Sequence, residues 1–344
     1  MEIFALDGEL GIVTPAIPYF NLQWSRRYHE AGTFEVQVPG GVYDPRWAYI
    51  VTHDRTEVGM VQKLAYENDG SRLVTVSGYF AEKMLDRRVT RTRYTADNSR
   101  TETTFWDLYG RFGTSLPLAP RENPTPLGDR TQSDFIGEKL GEKLYGILET
   151  RGLSYRVRIN DFQSAAPKML LEVWRGVDRT QGQAENPWYV FSTDYGNVED
   201  ESVSLDSSGF ANVCVISAAD ESLLLEVDQS EGGERYECFL DKGSSKKADD
   251  QTQEEFEEAL RQEGREKLAD LVKVQDIDAT AYDLAGYRRD YDLGDVVTVD
   301  LADIGVTLET RIVEVDETFK PEGHEVTLGF GSKRISNIRR AVRR

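Results

Sequence analysis

A chain of 344 residues with a formal charge of −20, 39% of it hydrophobic and 10% aromatic, has room for about two to three domains with sizeable cores. The composition is that of a folded globular protein, and the acidic balance argues against a general nucleic-acid binder, because attraction to phosphates needs a basic face. No apolar run approaches the roughly 20 residues that a membrane span needs, so no stable membrane association is expected.

The first 95 residues read as short strands and tight turns. Ile3 to Leu6 predicts a strand that ends at Asp7-Gly8. Leu22 and Trp24 alternate with polar neighbours, as do Phe34, Val36 and Val38, so each run predicts a half-buried strand, with Gly32 closing the turn between them. Val58 to Tyr66 and Arg72 to Tyr79 predict a hairpin through Asn68-Asp69-Gly70-Ser71, where Asp-Gly supplies the positive φ of a tight turn. Phe80 to Leu85 predicts a short helix.

Residues 96–200 mix elements. Thr104 to Phe112 predicts a helix, and Pro117, Pro120, Pro124 and Pro126 mark a loop. Ser133 is placed as the cap of a helix in which Ile136, Leu140, Leu144 and Leu148 recur every four residues before Gly152. Leu170 to Val173 and Val190 to Ser192 return to strand character.

Residues 201–331 read as a second β-rich block. Strands are expected at Ala211 to Ser217, Leu223 to Val227 and Tyr236 to Leu240, followed by the polar loop Lys242 to Gln251. Thr252 with Glu255 makes a capping-box pattern, and Phe256, Ala259, Leu260, Leu268, Leu271 and Val272 mark one face of a helix over about 252–272. Gly264 is expected to weaken it by about 1 kcal/mol. Val296 to Leu301, Thr310 to Glu317 and Glu325 to Phe330 predict an antiparallel meander, its last pair turned by Pro321-Glu322-Gly323. A basic tail, 332–344, ends the chain.

Three ordered stretches carry a resemblance: YFNLQWSRRYHEAGTFEVQVP (19–39); EVWRGVDRTQGQAENPWYVFSTDYGNV (172–198), with FANVCVIS (210–217); and YDLGDVVTVDLADIGVTLETRIVEVDETFKPEGHEVTLGFG (291–331). They resemble the siphophage tail-tip hub family, which is similar to contractile-tail baseplate hubs. The resemblance implies a multidomain, mainly β, α+β subunit. In it, two β-barrel-like tube domains flank an α-containing middle section around a central channel. It further implies a non-enzymatic homotrimer, a virion component assembled in the bacterial cytoplasm that joins the distal tail or tube protein to a central tip or fibre protein. A tail-associated cell-wall hydrolase and a receptor or carbohydrate-binding module are the alternatives.

The residues themselves favour structure over catalysis. Trp24, Arg26, Arg27 and Phe34, in the first stretch, are candidate core or interface residues. Asp178 and Arg179 could pair or act catalytically, but Gly-x-Asp before Arg-Thr is ordinary turn chemistry, and Arg179 is expected to lock a loop by an ion pair to a neighbouring element. Trp24, Trp47, Trp174 and Trp188 could form a sugar platform, although strand spacing favours burial or an interface. His29, His53 and His324 show no metal-ligand spacing, and there is no nucleophile elbow, phosphate loop or dinucleotide motif, so no catalytic residue, metal or cofactor is expected. The acidic run Glu254 to Glu258 reads as a solvated helix start. Cys214 and Cys238 are too few for a disulfide framework and read as free buried thiols, which suits a reducing cytoplasm. The acidic start, MEIFALDGELGIV, leads to the expectation of no secretion signal.

Charge is uneven along the chain. Asp194 to Glu258 holds nineteen acidic and four basic residues, a net of −15, whereas Lys333, Arg334, Arg339, Arg340, Arg343 and Arg344 follow Gly331 with no acid among them. The acidic segment is expected on a channel wall or against a basic partner, and Arg339, Arg340, Arg343 and Arg344 are candidate docking residues for an acidic surface.

Overall fold

The computed structural model describes residues 1–67, 72–206, 208–219, 222–245, 247, 252–271, 274–281, 286–321 and 323–331. The 68–71 turn, Glu322, Val272, parts of the loop Lys242 to Gln251 and the basic tail with Arg339, Arg340, Arg343 and Arg344 lie outside these. The chain forms two compact units, Met1–Ser202 with Ile277–Gly331 and an inserted unit on Val203–Asp276. They cut across the linear division at 95 and 200.

The first unit is organised by a return of the chain to its beginning. Strand Asn21–Arg27 pairs antiparallel with Thr33–Pro39 on one side and with the 15-residue strand Val306–Lys320 on the other. Trp24 thus lies opposite Phe34 in one neighbour and Glu317 in the other. The period-two pattern explains the burial, since Leu22, Trp24 and Arg26 are buried while Gln23 is exposed. Beyond Thr33–Pro39 come Leu73–Tyr79 and Lys63–Glu67, which pair antiparallel up to Glu67–Leu73; the strand expected from Val58 is broken, because Gly59–Met60 pairs with Tyr49–Thr52 in another sheet.

The sheet does not close into the expected barrels. From Lys63–Glu67 its order runs through Val306–Lys320, Gly323–Gly331 and Val274–Ala281 to Val198–Asp206, and no described strand order returns to its start. The length of Val306–Lys320 is one reason. At about 3.3 Å per residue it spans roughly 50 Å, and its two halves have different partners. Val306–Arg311 pairs with Val296–Leu301, and the remainder pairs with Gly323–Gly331 past an irregularity between Ile312 and Glu314. Val296–Leu301 also pairs in parallel with Asp178–Arg179 and Val190–Ser192, which the expected meander lacks.

A second core in this unit joins helices Thr101–Phe112 and Leu140–Glu149 to the three-stranded sheet Ala119–Arg121, Met169–Trp174 and Ser154–Ile159 through Phe105, Leu108, Leu144, Leu148, Tyr155, Val157 and Leu171. The short helix expected at Phe80 is the 3-10 turn Ala81–Arg87. Ser133 caps no helix. It lies in strand Arg130–Phe135, paired with Tyr94–Arg100, and Ile136 is 56% exposed. Gly137 separates strand from helix in the left-handed region (φ 82°) and breaks the four-residue spacing that Ile136 had suggested.

In the second unit, strand Val213–Ala218 lies between Leu223–Asp228 and Glu237–Lys242. Helix Gln253–Asp270 covers one face with Phe256, Leu260 and Leu268 against Cys214, Ile216, Leu225 and Val227. Thr252 and Glu255 form both hydrogen bonds of the capping box. Gly264 has a packing role, because a Cβ there would sit 2.7 Å from Ile216 Cδ1 and 3.1 Å from Val227 Cγ2. Its low helix propensity is thus offset by close approach of the helix to the sheet. Cys214 and Cys238 face each other across paired strands as free thiols, but only Cys214 is buried as expected, Cys238 being half-buried. Burial, then the neighbouring Cys238, pushes the Cys214 thiol up to about 12. No helix among the described residues is long and apolar enough to cross a membrane.

Candidate functional site: charged clusters of the first unit

Trp24 and Phe34 belong to the core. Their ring centroids are 6.0 Å apart, Phe80 lies 4.7 Å from Trp24, and Gly59 packs so tightly on Phe34 that a Cβ there would come within 2.5 Å of the ring. Trp47 is buried too and donates from Nε1 to Thr14 Oγ1 at 2.9 Å. Neither ring can join a sugar platform.

Arg26 shares the buried face of Leu22 and Trp24, so its charge must be met inside the protein. It is. Nε lies 2.7 Å from Glu57 Oε1, while Nη1 reaches Asp292 Oδ1 at 2.5 Å and the Tyr287 hydroxyl at 3.0 Å. Tyr287 donates onward to Glu317 Oε1 at 2.9 Å. Arg288 bridges Glu57 at 3.1 Å and Glu317 at 3.3 Å, Arg55 holds the other Glu317 oxygen at 3.0 Å, and His324 lies 3.2 Å from that oxygen. Three arginines thus meet three carboxylates, so this part of the network balances, and the exposed Asp54 lies 3.8 Å from Arg55. At Glu317 burial opposes ionisation, but His324 and the guanidiniums of Arg288 and Arg55 outweigh it and hold the carboxyl at about 2. Glu57 is likewise held well below its usual range, with Arg288 and Arg26 overcoming burial. Arg27, on the opposite face, grips Asp316 through two bonds of 2.7 and 3.2 Å.

Asp178 and Arg179 do not pair with each other. Asp178 Oδ1 accepts from the Thr180 amide at 3.0 Å, a turn contact, and Arg179 Nε donates to Asp295 Oδ2 at 2.7 Å. Asp295 also accepts from the Val177 amide at 2.7 Å. The segment is seated closely, since a Cβ on Gly176 would overlap the Gly294 carbonyl oxygen at 1.9 Å.

A further cluster was not singled out in the sequence. Register places Arg121, Glu172 and Arg156 side by side across three strands, with Arg158 one step along. Arg156 Nε lies 2.6 Å and Arg158 Nε 2.8 Å from Glu172 Oε1, and Arg121 Nη1 lies 3.4 Å from Oε2. Three cations share one carboxylate. Burial, despite Glu172, pushes the Arg156 guanidinium down, and its Cζ lies 4.3 Å from the Trp174 ring centroid. The alternation Arg156-Val157-Arg158 is readable in the sequence, but the register that sets Glu172 between them is not.

The carboxylates of these clusters are held by arginines and orient backbone. Among the described residues no group of three or more His, Cys, Asp or Glu is arranged to hold a metal ion.

The family model described as Siphovirus ReqiPepy6 Gp37-like protein matches residues 119–332, well over half of the chain. Among solved structures, the tail protein from Neisseria meningitidis MC58 is similar at 12% identity and TM-score 0.59, with 97% of each chain covered. The 43 kDa tail protein of prophage MuSo2 from Shewanella oneidensis matches at 14% identity and TM-score 0.58, over 96% of this chain and 98% of that one. Prophage tail protein gp18 from Listeria monocytogenes EGD-e matches at 14% identity and TM-score 0.57, over 99% and 98%. No curated protein matches. At such identities these likenesses establish the fold, which runs the length of the chain. The chain belongs to the Siphovirus ReqiPepy6 Gp37-like family of siphovirus tail proteins.

Proposed function

We propose that this tail protein is a structural subunit of the tail-tip or baseplate hub. Three copies form a ring at the distal end of the tail tube and connect it to the central tip, with the distal tail or tube protein and a central tip or fibre protein as neighbours. The observation that carries this reading is the match of residues 119–332 to a siphovirus tail-protein family, together with a fold shared over nearly the whole chain with prophage tail proteins. Edge strands in open sheets are surfaces that neighbouring copies of a ring would cover, and barrels could be completed between copies. Assembly takes place in the host cytoplasm, and the chain cleaves neither peptidoglycan nor peptides. Three copies carry a formal charge of −60; an acidic channel wall would repel DNA phosphates within roughly 8 Å at physiological salt.

Immunogold labelling of intact virions tests the placement. Label confined to the distal tail end is expected, and label along the shaft or at the capsid overturns it. Zymography on purified cell walls tests the non-enzymatic reading, which fails if clearing is seen and vanishes on substituting one Asp or Glu.

A further inference from the structure

The sheet of the second unit has one face without a helix over it. Helix Gln253–Asp270 takes the side of Cys214, Ile216, Leu225 and Val227, and the alternation of a strand puts Val215, Leu224 and Phe239 on the other. Leu224 is 68% and Phe239 60% exposed. Glu226, Asp228, Glu237 and Asp241 share that face with them. Arg235 is held by Glu226, Asp228 and Glu237 at 2.9, 2.6 and 3.1 Å, across the Val213 end of the sheet. Four carboxylates against one arginine leave the face with a net charge of −3 around an apolar centre.

We propose that this face receives residues 332–344 of the chain, SKRISNIRRAVRR. The segment is complementary in two independent respects. Its six cations and no anion oppose the acidic rim, and Ile335, Ile338 and Val342 match the exposed Phe239 and Leu224. Arginines beside apolar anchors on one partner, and an aromatic within a carboxylate rim on the other, are the composition of a specific protein interface. The site is independent of the ring reading, since the segment can be supplied by the same chain or by a neighbouring copy.

The test is photo-crosslinking of the full-length chain with benzoylphenylalanine in place of Phe239, read by mass spectrometry on a mixture of isotopically light and heavy copies. Adducts are expected on residues 332–344, within one chain or between copies; either origin supports the site. Their yield should fall about tenfold in about 0.5 M salt and in the Glu237→Arg, Asp241→Arg double variant, and stay unchanged in Arg121→Ala, which alters a different face. Adducts only on other segments, or a yield insensitive to both salt and charge reversal, overturn the proposal. The salt arm keeps the test decisive if the double variant does not fold.

Discussion

The two arginine clusters of the first unit are built from the same residue types and differ in their accounts of charge. Around Glu57 and Glu317, three arginines meet three carboxylates, and Glu317 has a fully buried side chain. Around Glu172, three arginines share one carboxylate, and Arg121 remains 57% exposed. A network that neutralises itself can be buried whole and used as a fastener, whereas an unbalanced one must stay near water. The balanced cluster joins residues 26, 55 and 57 to residues 287–317, and the unbalanced one joins adjacent strands.

The largest effect is therefore expected at the balanced cluster. Arg26→Ala leaves the buried Glu57 with Arg288 alone and the part-exposed Asp292 without its guanidinium, and should cost about 3 kcal/mol in denaturant unfolding. A loss below about 1 kcal/mol would mean that the network is not the fastener described.

Much of this was legible in the sequence, and the part that was not has a common cause. Period-two alternation marked Asn21–Arg27 and Thr33–Pro39, and the parity of Leu22, Trp24 and Arg26 already placed the arginine on the buried face. The capping box located the long helix. These are local signals. Arg26 meets Asp292 and Tyr287 across more than 260 residues of chain, and Glu172 meets Arg156 through strand register, neither of which a linear pattern encodes. The helix expected after Ser133 is absent for a local reason, because the backbone turns left-handed at Gly137 and interrupts the four-residue spacing. Gly264 showed the opposite failing, since propensity marked a cost where the fold uses the missing Cβ.

Glu82 sharpens the comparison as a buried carboxyl that forms no arginine ion pair among the described residues, Arg156 acting on it only at a distance. Burial, only partly offset by the Val157 amide on Oε1 at 2.8 Å, pushes it up to about 7. A folded value above the ordinary 4.5 means that the folded chain holds this proton more tightly than the unfolded one. Its contribution is complete below pH 4.5, declines as pH rises to about 7 and is level above that, a change of about 3 kcal/mol. Glu82→Gln should flatten the pH-stability profile over that window, as measured by urea unfolding at several pH values. Glu317 runs the other way, its stabilisation being lost as pH falls from 4.5 towards 2.

At the unbalanced cluster, Glu172→Gln keeps the shape but removes the one carboxylate among three arginines, and should cost about 2 kcal/mol. Adding Arg158→Leu to that variant should recover part of the loss, and no recovery would show that charge surplus is not the cause. Arg121→Ala, at the exposed edge, should change stability by less than about 1 kcal/mol.

The reading of the chain as a hub subunit is tested most directly by cryo-electron microscopy of intact tails without imposed symmetry. Three copies of this fold in a ring at the distal end of the tube are predicted, and two, four or six copies there, or its absence from the tip, would contradict the account.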